Sequence, residues 1–162
     1  MNSNSGNYSQ ALRNFLTSKG IWHRFIEFDE PVKTVEQAAR KVPVDEIAKS
    51  IILVDSNSVP LMVILRADSK ISYRKVKALL GVKDVRLANG EEVLAYSGYP
   101  VGGVPPFNRV TRAVMDHQVV KNRTAIMGGG DINKLVELRT EDIVNRLNPI
   151  IADLTTAKCL AP

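Results

Sequence analysis

Apolar residues fall along this chain in short blocks whose period switches between that of a helix and that of a strand, and the switching predicts the elements. Leu12, Phe15 and Leu16 recur at helical spacing between Tyr8 and Lys19, and Gly20 supplies the stop. Ile21 to Phe28 alternates and carries three aromatics, as a strand does. Thr34, with Glu36 and Gln37 after it, reads as a helix start over the stripe Val35, Ala38, Ala39 and Val42, ended by Pro43. A further helical turn, Val44 to Ile47, leads into Ala48–Asp55. That run is apolar and β-branched, the pattern of a central strand covered on both faces. Ser56 to Ser58 is a turn, and Val59–Arg66 is the hairpin partner.

Ser72 opens a helix through Leu80 that Gly81 closes, Asp84–Ala88 is a short strand, and Asn89 caps a helix ending near Ser97. Arg109 to Met115 reads as extended, Asp116 caps a helix to Lys121, and Arg123–Met127 is another strand, broken by Gly128 to Gly130. Leu135–Leu138 is the last predicted strand, and a final helix starts at Thr140 over Ile143, Val144 and Leu147; nothing is assigned beyond Asn148. Helices and strands alternate irregularly, with one hairpin. This predicts an α/β chain of α+β character, a mixed sheet flanked by helices rather than a doubly wound one.

The stretch Gly98 to Asn108 breaks both periods. Pro105 and Pro106 fix their own φ and restrict the residue before each, while Gly102 and Gly103 leave the backbone bare. A stiff loop with bare amides can aim N–H groups at a carbonyl or anionic oxygen. An ordinary proline-rich turn has the same composition.

Composition narrows the classes. With 162 residues, 44% of them hydrophobic and 24% charged, the chain is sized for one globular domain, placed at 8–162 behind a polar tail at 1–7. No apolar run reaches the ~18 residues that cross a bilayer, and the polar start has no signal-peptide pattern, so an intracellular protein is expected. One cysteine, Cys159, excludes an internal disulfide, and beside His23 and His117 it forms no zinc-ligand spacing. The net charge of +5 is spread over Lys70, Arg74, Lys75 and Lys77, then Lys83 and Arg86, and a second group at Arg109, Arg112, Lys121 and Arg123. Such a surface suits a phosphate backbone without sequence reading, or serves as a solvated helix face.

Lys49 is the odd residue of the Ala48–Asp55 run, because a charge there must reach solvent or meet a partner. Asp131, after three glycines, can orient a substrate group or cap the turn. No G-x-S-x-G, dinucleotide fingerprint or P-loop occurs, so a hydrolase built on this chain would position water rather than form a covalent intermediate.

Four segments stand in register with a known family: Thr34–Ala39, Ile47–Leu53, Gly81-Val82 with Leu87-Ala88, and Gly98–Phe107. From about Ala11 to Leu147 the chain resembles the YbaK/prolyl-tRNA synthetase-associated editing family. The resemblance implies a mixed, largely antiparallel sheet or partly closed barrel flanked by helices. It also implies a cytoplasmic deacylase that hydrolyses the ester of a mischarged tRNA in trans, on alanyl- or cysteinyl-tRNA of the proline anticodon. Such proofreading exists because binding alone rejects near-isosteric amino acids poorly.

The family's active lysine maps onto Lys49, and its G-x-x-x-P loop onto Gly102 through Pro106. By this resemblance Lys49, Gly102 and Gly103 are catalytic, and Ser50, Val104, Pro105, Pro106 and Asp131 contact substrate. The family mechanism is substrate-assisted, the terminal ribose hydroxyl helping to position water. No cofactor and no metal is implied; mischarged tRNA is the expected partner, with prolyl-tRNA synthetase a second candidate. Two positions depart from the family: Phe28-Asp29-Glu30 replaces a histidine, and Asn108 stands for a glycine, where its tolerance of positive φ is expected to keep the loop shape. A non-catalytic tRNA-binding module with the same fold, and a hydrolase of small acyl esters, are the alternatives.

Overall fold

A computed structural model describes residues 7–156; Cys159 and residues 1–6 of the polar tail lie outside them. The elements in order are α1 (Asn7–Ser18), β1 (His23–Glu27), α2 (Val35–Ala38), a 3₁₀ turn (Val44–Glu46), β2 (Ala48–Asp55), β3 (Pro60–Arg66), α3 (Tyr73–Leu80) and β4 (Val85–Leu87). There follow α4 (Gly90–Ser97), β5 (Ala113–Asp116), α5 (His117–Val120), β6 (Thr124–Gly129), β7 (Asp131–Arg139), α6 (Thr140–Leu147) and β8 (Ile150–Ala152). No helix of the described residues is long and apolar enough to cross a membrane.

The strands form two open sheets rather than a closed barrel: β1-β7-β6 and β4-β2-β3-β5-β8. Pairing is antiparallel except for β3 with β5 and β5 with β8. A single parallel bridge, Ile47 to Ile126, ties the sheets together just before β2 begins.

Burial explains the arrangement. Leu61 to Leu65 of β3 are all fully buried, so this strand is covered on both faces. Met62 and Ile64 join the core shared with α1 and the small sheet, through Leu12, Leu16, Met127 and Leu138. Leu61, Val63 and Leu65 face the other way, onto Val76 of α3. Local signals set the helix ends: Thr34 and Gln37 form one capping box, Asn89 and Glu92 another, and Gly81 and Gly98 close α3 and α4 in the left-handed conformation.

Several sequence expectations are corrected. The helix after Thr34 is only four residues long, its remainder a chain of turns to Pro43. Residues 109–112 are not strand; β5 begins at Ala113. The three glycines do not end the strand system, since Gly129 is still in β6 and Asp131 already begins β7, four residues before the predicted start. β8 lies in the tail that the apolar pattern left unassigned; Asp116 anchors it by accepting the Leu154 amide at 2.8 Å.

Candidate functional site

A cavity of about 330 Å³ opens between the start of β2, the Gly98–Asn108 loop and the segment entering α2. Lys49 and Ser50 form one side, Gly102 and Val104 another, and Val35, Ala38, Ile47 and Leu135 give it an aliphatic lining.

Lys49 is half-buried, and its Nζ donates to the carbonyls of Ser69 at 2.9 Å and Ala67 at 3.2 Å. An ammonium carries three donors, so one N–H remains for a ligand. Burial pushes the Lys49 amine below the usual lysine range, and the nearby Asp68 carboxylate pulls partly the other way. Asp68 is itself held by a two-pronged bond from Arg66, at 2.9 and 2.7 Å. The neighbouring Ser50 hydroxyl is buried and has no hydrogen-bond partner among the described residues.

The loop is placed by glycine packing. Gly98 turns the chain out of α4 at φ +86°, with the Arg109 guanidinium packed against it and donating to the Ala95 carbonyl at 3.0 Å. Gly103 lies backbone to backbone on the β6–β7 hairpin: its carbonyl accepts from the Gly130 amide at 2.8 Å, and a Cβ there would collide with Gly130. Gly128 in turn has the Val104 carbonyl where its own Cβ would be. Asn108 is not at positive φ, contrary to the expectation from its type; among the described non-glycine residues only Ser58 and Asn148 are. It shapes the loop through its side chain instead, donating to Pro105 and accepting from Val110, each at 2.8 Å.

Four of the expected site residues, Lys49, Ser50, Gly102 and Val104, therefore line one cavity. Gly103, Pro105 and Pro106 are buried behind it, and the Gly103 amide is spent on the Pro100 carbonyl at 3.0 Å. The amides of Gly102 and Val104 have no acceptor among the described residues. Asp131 is buried away from the lining: its carboxylate accepts from the Ser9 amide at 3.3 Å and lies 3.5 Å from the Lys134 ammonium.

Sequence reasoning missed the segment Val32 to Val35, which supplies a whole wall. Two main-chain bonds hold it to β7, from Phe28 to Asn133 at 2.9 Å and from Val32 to Ile132 at 2.8 Å. The capping box at Thr34 was the available signal, but it marked a helix start and not a cavity. The lining contains no carboxylate, imidazole or thiol. Asp116, His117 and Asp153 bring ligand-type atoms within 4.8 Å of one another, outside that lining, with Asp116 already accepting from Gln118 and Leu154 and Asp153 from Lys75.

Residues 29–145 match the model of the aminoacyl-tRNA editing domain. Over 100 residues the chain is 34% identical to the proline–tRNA ligase of Thermotoga maritima, an alignment covering 60% of this chain and 17% of the ligase. The chain thus spans about a sixth of the ligases it matches. It is 28% identical over 140 residues to the uncharacterised protein YwhH of Bacillus subtilis, covering 82% of this chain and 88% of that protein. Among solved structures, the hypothetical protein APE2540 superposes with a TM-score of 0.80 at 29% identity, over 90% of this chain and 99% of that one. A candidate trans-editing enzyme for prolyl tRNA synthetase gives 0.83 at 21% identity, over 93% and 98%, a likeness of fold.

Proposed function

Since the chain belongs to the aminoacyl-tRNA editing domain family, we propose that its cavity receives the 3′-aminoacyl end of a mischarged tRNA and hydrolyses the ester in trans. The similarity to proline–tRNA ligases favours tRNA of the proline anticodon, and the aliphatic lining favours a small side chain such as alanine or cysteine.

One observation carries the reading: an oriented lysine shares a cavity with two unpaired amides, and no general base stands in the wall. Water adds to the acyl carbon and negative charge grows on the carbonyl oxygen. The Gly102 and Val104 amides, with the third Lys49 N–H, are the donors that stabilise that charge. The bond from the acyl carbon to the ribose oxygen then breaks, the acyl group keeping the hydroxyl and the ribose oxygen taking the proton. As the family resemblance implies, a ribose hydroxyl of the substrate orients the water, and the wall holds no carboxylate or imidazole to compete with it.

The test is deacylation of a panel of mischarged tRNAs. Hydrolysis of Ala-tRNA or Cys-tRNA of the proline anticodon well above background, lost on Lys49→Ala, supports the reading. Retained tRNA binding with no turnover on any member points to a non-catalytic binding module instead.

A further inference from the structure

A second recess, about 680 Å³, lies between the turn after α5 and the start of α6, walled by Asn122, Arg123, Arg139, Thr140, Glu141 and Asn145. Part of the basic surface is engaged internally and part is not. Arg109 and Arg112 are engaged internally, on the α4 carbonyls and on Asp55 at 2.7 Å, and Lys75, Lys77 and Arg86 pair with Asp153, Asp84 and Glu92. Lys121 and Arg123, like Lys70, Arg74 and Lys83, have no ion pair or side-chain hydrogen bond among the described residues, and Arg123 is the one of these that walls the recess. Arg139 lies 5.5 Å over the ring of Trp22, itself 39% exposed.

Thr140 is the independent sign of a ligand. It is 4% exposed, it opens an eight-residue helix, and its hydroxyl has no hydrogen-bond partner. The cap position of that helix is Arg139, which makes no side-chain cap, and the Thr140 amide is spent on the Arg123 carbonyl at 2.9 Å. A helical threonine has a second χ1 rotamer to offer. The Glu141 carboxylate is the opposing charge in the wall.

We propose that this recess binds a backbone phosphate of the RNA whose aminoacyl end enters the first cavity, with Arg123, Arg139 and the Thr140 hydroxyl as its contacts and Trp22 beside it. This rests on the tRNA reading above. The two sites are structurally joined. Asn122 donates to the Asp45 carbonyl at 2.6 Å and Thr124 to Glu46 at 3.0 Å, which fixes the recess to the 3₁₀ turn that leads into Ile47 and Lys49 of the cavity wall.

The experiment measures uncharged tRNA binding against KCl for the wild type, for Arg123→Ala/Arg139→Ala and for Thr140→Val, with circular dichroism as the folding check. The double variant is expected to bind more weakly, with a log–log salt slope shallower by about one to two, while hydrolysis of an aminoacylated CCA trinucleotide is unchanged. Thr140→Val is expected to melt at the same or a higher temperature yet bind tRNA less tightly, which a merely structural threonine would not do. Binding and slope unchanged in a folded double variant overturn the proposal and leave the recess to an acidic protein group. A shallower slope without turnover on any mischarged tRNA keeps the phosphate site and removes the deacylase. Turnover with an unchanged slope does the reverse.

Discussion

Lys49 hands a proton donor to the carbonyl of Ser69 at 2.9 Å, which fixes the direction of a cation that the aliphatic cavity would otherwise repel. Replacing it with methionine keeps most of the volume, removes a half-buried charge and leaves the Ala67 and Ser69 carbonyls without that donor. These effects oppose each other, so we expect Lys49→Met to unfold in urea within about 2 kcal/mol of the wild type. Single-turnover deacylation is expected to fall by about 10²–10³-fold, the usual cost of one oxyanion donor. Full turnover in the variant would remove Lys49 from the mechanism.

The same burial sets a pH dependence. The folded Lys49 titrates below 10.5, the value it regains on unfolding. Above its folded value the amine loses the third N–H, so enzyme-dependent turnover is expected to decline before ordinary lysines titrate. Stability moves the other way. In the window between the folded value and 10.5 the unfolded chain binds more protons, so this group's penalty shrinks as pH rises. Background-corrected rates and urea midpoints across that window check both signs.

Gly102 and Gly103 are expected to separate on mutation. An alanine Cβ at Gly103 meets the Gly130 backbone, and Gly103→Ala should lose about 1–3 kcal/mol or more to overpacking. At Gly102 the nearest atom to a new Cβ is Ile132 Cγ2 at 3.8 Å, so only the φ of +90° resists. Thermal melts should thus single out Gly103→Ala, and deacylation of the remaining folded protein should single out Gly102→Ala.

The elements that sequence fixed well are those with local chemistry. The Ser72, Asn89 and Asp116 caps, the Gly81 stop and the β2–β3 hairpin stand where apolar period and turn residues put them. Pairing direction is not local, which is why the parallel β3–β5–β8 edge and the division into two sheets were not legible. The start of β7 was hidden because Asn133 and Lys134 are polar residues on a strand whose apolar half begins at Leu135. In the site, Lys49 showed as a charge out of place. The Val32 to Val35 wall did not, since ordinary aliphatic residues become a lining only through the β7 contacts.

Ser50 offers a check on the cavity itself. A buried hydroxyl without a partner costs about 1–3 kcal/mol, so Ser50→Ala is expected to raise stability. If the hydroxyl meets substrate, KM for the mischarged tRNA rises several-fold in the same variant. Higher stability with unchanged kinetics would make it a packing residue.

Glu92 governs the acid limit of the helix that delivers the loop. Arg86 grips its carboxylate with two bonds of 2.8 Å and the Asn89 amide adds a third at 3.0 Å, holding it down to about 2. The stability this gives is complete above the unfolded value of 4.5 and is lost as pH falls through about 2. Carboxyl NMR titration should find Glu92 ionised at pH 3, and Glu92→Gln should flatten the acid dependence in that range.

The two sides of the cavity are not equally fastened. One is welded through glycines onto a hairpin, where even a methyl group has no room; the other hangs from β7 by the Phe28 and Val32 amides. Under the proposed function, a substitution at Val35 is expected to change which aminoacyl side chain fits, while the glycine-packed side keeps its shape.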